Sequence, residues 1–236
     1  MYSAIVSFDN ILVNMTSLPD PDLPSPTAAS GDTRVVHLVD DSAEARRLVE
    51  CQLEDAGWKI RSYESGQAFL KECGAHSRGC IILDLQMPGM SGSELQQLLG
   101  SRQITMPVIF LSATANVKMT AEVMKRGAMD LIEKPFEAAE LAAAVQRAMA
   151  ADLAAETARV ESASARERIG RLTTREYEVL DCVVRGMANK QVARELNISE
   201  RTVENHRARG LSRINVESIP DLVRLWAAAR SDNQNV

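Results

Sequence analysis

The sequence predicts two domains of different class: an α/β domain built on a five-stranded parallel, doubly wound sheet, then an all-α domain of four helices. Three observations predict this. Five short apolar runs alternate with amphipathic stretches between residues 34 and 136, the pattern of strand–helix units joined by right-handed crossovers. One of these runs, Gly79-Cys80-Ile81-Ile82-Leu83-Asp84, has no polar break before its carboxylate, as a strand buried on both faces requires. From Leu172 onward the strand-like runs stop and only helical spacing remains.

Length and charge agree with two domains. A chain of 236 residues is long enough for both, and its 45% apolar and 25% charged content describes a soluble globular protein. No apolar run approaches the ~18 residues of a membrane span. The four cysteines (Cys51, Cys73, Cys80, Cys182) have no paired metal spacing, and the first residues hold Asp9 and no base. Reduced thiols and a cytoplasmic location are therefore expected. The net charge of −5 is uneven, because residues 171–236 hold 11 bases against nine acids and every earlier segment is acidic. Only that C-terminal piece suits a polyanion partner.

Residues 1–33 contain Pro19, Pro21, Pro24 and Pro26 and read as a disordered arm. Val35-Val36-His37-Leu38-Val39 is an apolar strand ending in Asp40-Asp41, and Ser42 then opens a helix carrying Ala45, Leu48, Val49 and Leu53. Lys59–Tyr63 is a second strand, followed by a helix through Ala68, Phe69 and Leu70. The central strand ends at Asp84, and a helix follows through Leu95, Leu98 and Leu99. Pro107–Ser112 is the fourth strand, Val117 to Ala128 the fourth helix, and Asp130–Lys134 the fifth strand, stopped by Pro135. The α/β domain thus spans 34–150. Glu137 to about Arg168 is Ala-rich without Gly or Pro and reads as one long helix, with 151–170 as linker. Past Ala151 two readings stand, a stiff connector or a helix end passing into coil. Residues 171–236 form the last domain, with helices over Thr174–Val184, Asn189–Leu196, Ser199–Ile214 and Ile219–Ala229. A short helix, a three-residue break and a second helix make a helix-turn-helix arrangement.

The chemistry gathers at one sheet edge. Asp40, Asp41 and Asp84 end predicted strands at the carboxyl side, where open α/β sheets bind ligands. Carboxylates so placed repel unless a cation intervenes, and Mg²⁺ suits a few carboxylate oxygens while keeping waters. Ser112 and Lys134 end the flanking strands and can contact phosphoryl oxygens. A carboxylate nucleophile with two cations is a kit for accepting a phosphoryl group. Each residue also has a plainer reading, as helix cap, turn residue or solvated strand end, but five such positions on one edge by chance is improbable.

Asp40-Asp41, Asp84 with Met87-Pro88-Gly89, Leu111-Ser112-Ala113 and Lys134-Pro135-Phe136 together resemble the receiver domain of two-component response regulators, a flavodoxin-like fold. The resemblance implies that Asp84 accepts the phosphoryl group. Asp41, Asp84 and the backbone carbonyl of Gln86 would bind Mg²⁺, with Asp40 acting through water. Ser112 would hydrogen-bond the phosphoryl group, and Lys134 would pair with it beside a cis peptide to Pro135. One departure is Leu131, where that family usually carries Tyr or Phe as a switch residue.

In the helix opened by the Ser199 cap, Arg201, Glu204, Asn205 and Ala208 share a polar face with Arg207 beside it, while Val203, Leu211 and Ile214 point to a core. Such a face suits major-groove reading, and its basic neighbours suit phosphates. By charge alone a solvated amphipathic helix is the favoured reading. The run Leu172-Thr173-Thr174-Arg175-Glu176, Asn189-Lys190-Gln191-Val192-Ala193 and Thr202-Val203-Glu204-Asn205-His206-Arg207-Ala208 is similar to the LuxR-type helix-turn-helix, and the whole chain to FixJ/NarL-type regulators, the FixJ branch above all. This implies DNA contacts from Lys190, Arg201, Thr202, Glu204, Asn205, Arg207, Ala208 and Arg209, and a packing role for His206. Gly210 departs from the pattern, and a mid-helix glycine should cost ~1 kcal/mol against alanine.

The resemblance implies a phosphorylation-gated transcriptional regulator. Its partners would be a sensor histidine kinase, promoter DNA half-sites and a second copy of the chain, with RNA polymerase open as another. Two rivals make different demands. A hydrolase using Asp84 needs a second acid two residues on and a cap domain, and Gln86 stands there instead. A protein-binding module would not need the basic helix-turn-helix.

Overall fold

The computed structural model describes residues 34–113 and 117–231, so the expected arm at 1–33 lies outside the described residues. Strands β1 (Val35–Val39), β2 (Ile60–Tyr63), β3 (Gly79–Asp84), β4 (Val108–Ser112) and β5 (Asp130–Glu133) alternate with helices α1 (Ala43–Asp55), α2 (Gly66–Glu72), α3 (Gly92–Ser101) and α4 (Val117–Lys125). The sheet order is β2-β1-β3-β4-β5, with every pairing parallel. The strand order reverses between β1 and β3, which is where such sheets open a crevice at their carboxyl ends. All six residues of β3 are buried, as its unbroken apolar run demands.

Each sheet face buries its own core. On one side Phe69, Leu95, Leu99 and Val123 of α2, α3 and α4 pack on Ile81, Leu83 and Phe110. On the other, Val49 and Leu53 of α1 join Leu141, Val145 and Met149 against Val36, Ile82 and Ile109. Leu48 and Leu98, expected on these faces, are 57% and 38% exposed. The helices bury a narrow stripe, Val49/Leu53 and Leu95/Leu99, and a residue one step off it turns about 100° away. Local caps set the helix starts: Ser42, Ser65 and Ser91 accept from Ala45 N, Ala68 N and Glu94 N, and Glu94 closes a capping box back to Ser91 N.

Helix α5 runs unbroken from Ala138 to Gly170, which decides for the stiff connector over coil beyond Ala151. It is followed by α6 (Thr174–Val184), α7 (Asn189–Glu195), α8 (Glu200–Arg213) and α9 (Ile219–Arg230). Ala165 and Ile169 of α5 enter the helical core with Leu180, Ile214, Leu222 and Trp226. A second cluster, Val179, Cys182, Val192 and Val203, ties α6, α7 and α8 together. Gly210 is buried where α8 packs on α6, and a Cβ there would lie 2.9 Å from Leu180 Cδ1. The glycine lets the helices approach, so its cost in helix propensity is offset by packing. Among the described residues no helix is long and apolar enough to cross a membrane.

Candidate functional sites

The carboxyl edge of the sheet builds the first site. Asp84 ends β3 and Asp40 follows β1 next to it, both buried at 7% and 1% exposure. Lys134, just past β5, donates from Nζ to Asp40 Oδ2 at 2.8 Å and to Asp84 Oδ1 at 2.7 Å. Each carboxylate spends its other oxygen on backbone, Asp40 Oδ1 accepting from Ser42 N at 2.9 Å and Asp84 Oδ2 from Gln86 N at 2.8 Å. Burial pushes the Asp84 carboxyl up, and Lys134 offsets this only in part because Asp40 adds a like charge. Burial by itself would lower the Lys134 ammonium, but the bonds to Asp40 and Asp84 push it up. The centre therefore holds two carboxylates and one ammonium, short of positive charge around Asp84.

Ser112 is buried at the end of β4, and Lys134 N donates to its carbonyl at 2.8 Å, so β4 sets the height of the lysine. The Lys134–Pro135 peptide is cis. Leu131 sits half-buried on β5, beside Phe110 in register, and packs on the core with Met119 of α4.

Asp41, the third expected carboxylate, is exposed in the bend that follows Asp40. Among the described residues no three His, Cys, Asp or Glu side chains stand together as a metal site. The donor chemistry nonetheless fits Mg²⁺, since Asp40, Asp84 and the nearby Asp41 and Gln86 carbonyl offer only hard oxygens. One residue had no sequence signal. Arg46, on the first turns of α1, donates from Nη1 to the carbonyls of Asp40 and Asp41 at 2.7 and 3.2 Å and holds this turn.

The second site is α8. Ser199 accepts from Thr202 N at 3.1 Å, and its hydroxyl meets that of Thr202 at 2.8 Å, so Thr202 is committed to the cap. Arg201, Glu204, Asn205, Ala208 and Arg209 are exposed, as is Lys190 on α7. Arg207 is half-buried and donates from Nη1 to Asn189 Oδ1 at 3.3 Å, a brace between α7 and α8 that spacing alone did not reveal. Val203 is fully buried beneath this face, so the polar side of α8 is presented outward by its own core.

The family described as response regulator receiver domain matches residues 36–146, and that of bacterial regulatory proteins, luxR family, matches 171–226. The transcriptional regulatory protein FixJ of Rhizobium meliloti is 40% identical over 193 residues, covering 82% of this chain and 95% of the relative. The chain belongs to the response regulators that carry a LuxR-type DNA-binding domain. The transcriptional regulatory protein TdiR of Thauera aromatica is 36% identical, covering 82% of this chain and 86% of that protein. Among solved structures, the response regulator StyR superposes with a TM-score of 0.71 at 34% identity, covering 82% of this chain and 98% of that one. Full-length FixJ from B. japonicum superposes at 0.53 and 32% identity, covering 84% and 97%. This response regulator therefore pairs a receiver with a DNA-binding output domain, and it is a transcriptional regulator of the two-component type. The first family match begins at residue 36, after an N-terminal stretch whose residues 1–33 hold four acids and no base.

Proposed function

We propose that Asp84 accepts a phosphoryl group from a sensor histidine kinase, and that this modification gates sequence-specific DNA binding through α8. The observation that carries the reading is the buried pair Asp40–Asp84 bridged by Lys134 at the carboxyl edge of the sheet. An Asp84 oxygen attacks the phosphorus of the kinase's phosphohistidine; a P–O bond forms, the P–N bond breaks, and the imidazole leaves. Lys134 then exchanges part of its bond to Asp84 for a phosphoryl oxygen, and the Ser112 hydroxyl donates to another. Asp40, Asp41, Asp84 and the carbonyl of Gln86 would hold Mg²⁺, which supplies the charge needed to bring a dianionic phosphoryl group against carboxylates. The protein catalyses only its own phosphorylation and hydrolysis.

The output side follows from charge. Residues 171–236 carry 11 bases against nine acids, so one copy binds DNA weakly and two copies double the phosphate contacts. Phosphorylation should then act by favouring a dimer on paired half-sites, with Asn205 reading bases and Arg209, Arg201 and Lys190 on the backbone. Arg207 acts partly through its brace to Asn189, so Arg207→Ala should weaken binding to all sequences, whereas Asn205→Ala should relax specificity.

Incubation with a small acyl phosphate and Mg²⁺ should add one acid-stable, base-labile phosphate to the wild type and none to Asp84→Asn. Full labelling of Asp84→Asn would falsify the assignment.

A further inference from the structure

Helix α5 changes its means of support part-way along. Leu141, Val145 and Met149 are buried against the sheet, but Leu153 and Val160 are 48% and 54% exposed. A few helical turns without a buried apolar face are marginal in water, and here polar contacts support the next two turns. Two carboxylates one turn apart take over. Asp152, 4% exposed, accepts from Gly79 N at 3.0 Å through Oδ2. Glu156 accepts from Arg78 Nε at 3.0 Å and from Arg159 Nε at 2.9 Å. Arg78 is itself fixed, donating to the carbonyls of Ala75 and Ser77 at 3.2 and 2.8 Å.

Sheet geometry explains why the contact falls there. Ile81 N donates to Pro107 O beside β4, and Gly79 N faces the same side two residues earlier, before β4 begins at Val108. Its N–H is buried beyond the reach of that strand, and the Asp152 carboxylate takes the place of the missing carbonyl. Gly79 is locked in return: its φ is +124°, and a Cβ would lie 1.9 Å from Val35 O. Burial pushes the Asp152 carboxyl up, and the Gly79 N–H, Arg78 and Arg34 offset this only in part.

β3 therefore carries Asp84 at one end and the connector's anchor at the other. Beyond the anchor, α5 enters the output core through Ala165 and Ile169, and Arg168 Nη2 donates to Ile214 O and Asn215 O at 2.7 and 2.9 Å. We infer that Asp152 and the Arg78–Glu156 pair form a latch that makes the connector a rigid extension of β3 and so sets the bearing of the output domain on the receiver. These are positioning residues. They touch neither the phosphoryl acceptor nor the DNA-facing side of α8.

The test uses the full chain. In hydrogen exchange, Asp152→Ala should speed the amides of 150–160 by about tenfold or more while β4 and α8 keep wild-type protection. Asp152→Asn, which keeps an oxygen for Gly79 N, should stay near wild type, and Glu156→Ala should fall between them. Spin labels on the exposed Cys51 and on Ser212→Cys should give a narrow distance distribution in the wild type and a broad one in Asp152→Ala. Unchanged exchange with equally narrow distances in Asp152→Ala would overturn the latch. A last arm, resting on the proposed role of Asp84, adds beryllofluoride and Mg²⁺ as a phosphoryl mimic. The wild type should then shift its label distance and Asp152→Ala should not; the same shift in both would show that the latch carries no signal. Failure of the mimic to protect amides around Asp84 would count against the acceptor assignment, and the first two arms would still decide the latch.

Discussion

His37 lies deep in β1, sealed among rings. Its centroid is 5.9 Å from that of Tyr63 and 5.8 Å from that of Phe69, and its Nδ1 stands 3.2 Å from Tyr63 Oη and 3.4 Å from Cys73 Sγ. Burial, reinforced by Arg61, lowers its pKa to about 4 from 6.5, so the folded protein holds it neutral. Unfolding lets it take up a proton in that window. Its contribution is thus complete above about pH 6.5 and is lost as pH falls toward 4, at most about 3 kcal/mol at 1.36 kcal/mol per unit. The stability difference between wild type and His37→Leu, from denaturant titrations, should shrink over that range as pH falls. A difference independent of pH would mean that the imidazole is not held neutral. His37 was legible in the sequence only as a strand residue. Its neighbours come from β2 and α2, and no local spacing reports them.

At the scale of elements, two glycines in helices should behave in opposite ways. Gly100 sits in α3 with open space where a Cβ would go, whereas Gly210 on α8 would drive a methyl to 2.9 Å from Leu180, which is itself fully buried. Gly100→Ala should stabilise by up to about 1 kcal/mol, the ordinary propensity gain. Gly210→Ala should gain nothing and cost about 1 kcal/mol or more, as over-packing does. Thermal unfolding of both variants checks the contrast, and equal gains would show that α8 and α6 are not pressed together. The sequence marked Gly210 as a departure but assigned it only a cost. Its reason is a helix crossing, a contact between segments about thirty residues apart.

At the scale of the molecule, α5 belongs to both domains. Ala165 and Ile169 fill part of the output core, so a fragment of 160–236 should be more stable than one of 171–236 by roughly 2 kcal/mol, the burial of one large aliphatic side chain. Equal denaturation midpoints would place the core wholly beyond Arg171. The switch is a second whole-molecule property. Leu131 and Met119 of α4 both pack against the same core, where an aromatic ring at 131 would exchange more surface between two rotamers. Full burial of a leucine is worth only ~1.5–3 kcal/mol, so the gap between resting and active states should be small. Sedimentation of the unphosphorylated protein should therefore show some dimer, and Leu131→Phe should show less, with a larger increase on phosphorylation. A wild type that is wholly monomeric until phosphorylated, matched by Leu131→Phe, would remove this position from the switch.

Taken by itself, the sequence determined the two domains, the parallel sheet, the run into Asp84 and the helix-turn-helix. All of these are written in local periodicity and in short motifs whose residues are neighbours along the chain. It also placed Asp40, Ser112 and Lys134 on one edge, because strand ends of a parallel sheet must share that edge. Tertiary structure alone decided which carboxylates meet. Lys134 bridges Asp40 and Asp84 and Asp41 stays exposed, since contacts between strand ends form only when the sheet is built. It decided too that α5 continues past Ala151. Alanine content permits a helix there, but the partner that holds it, the buried N–H of Gly79, lies 73 residues away and becomes a neighbour only when the sheet is built.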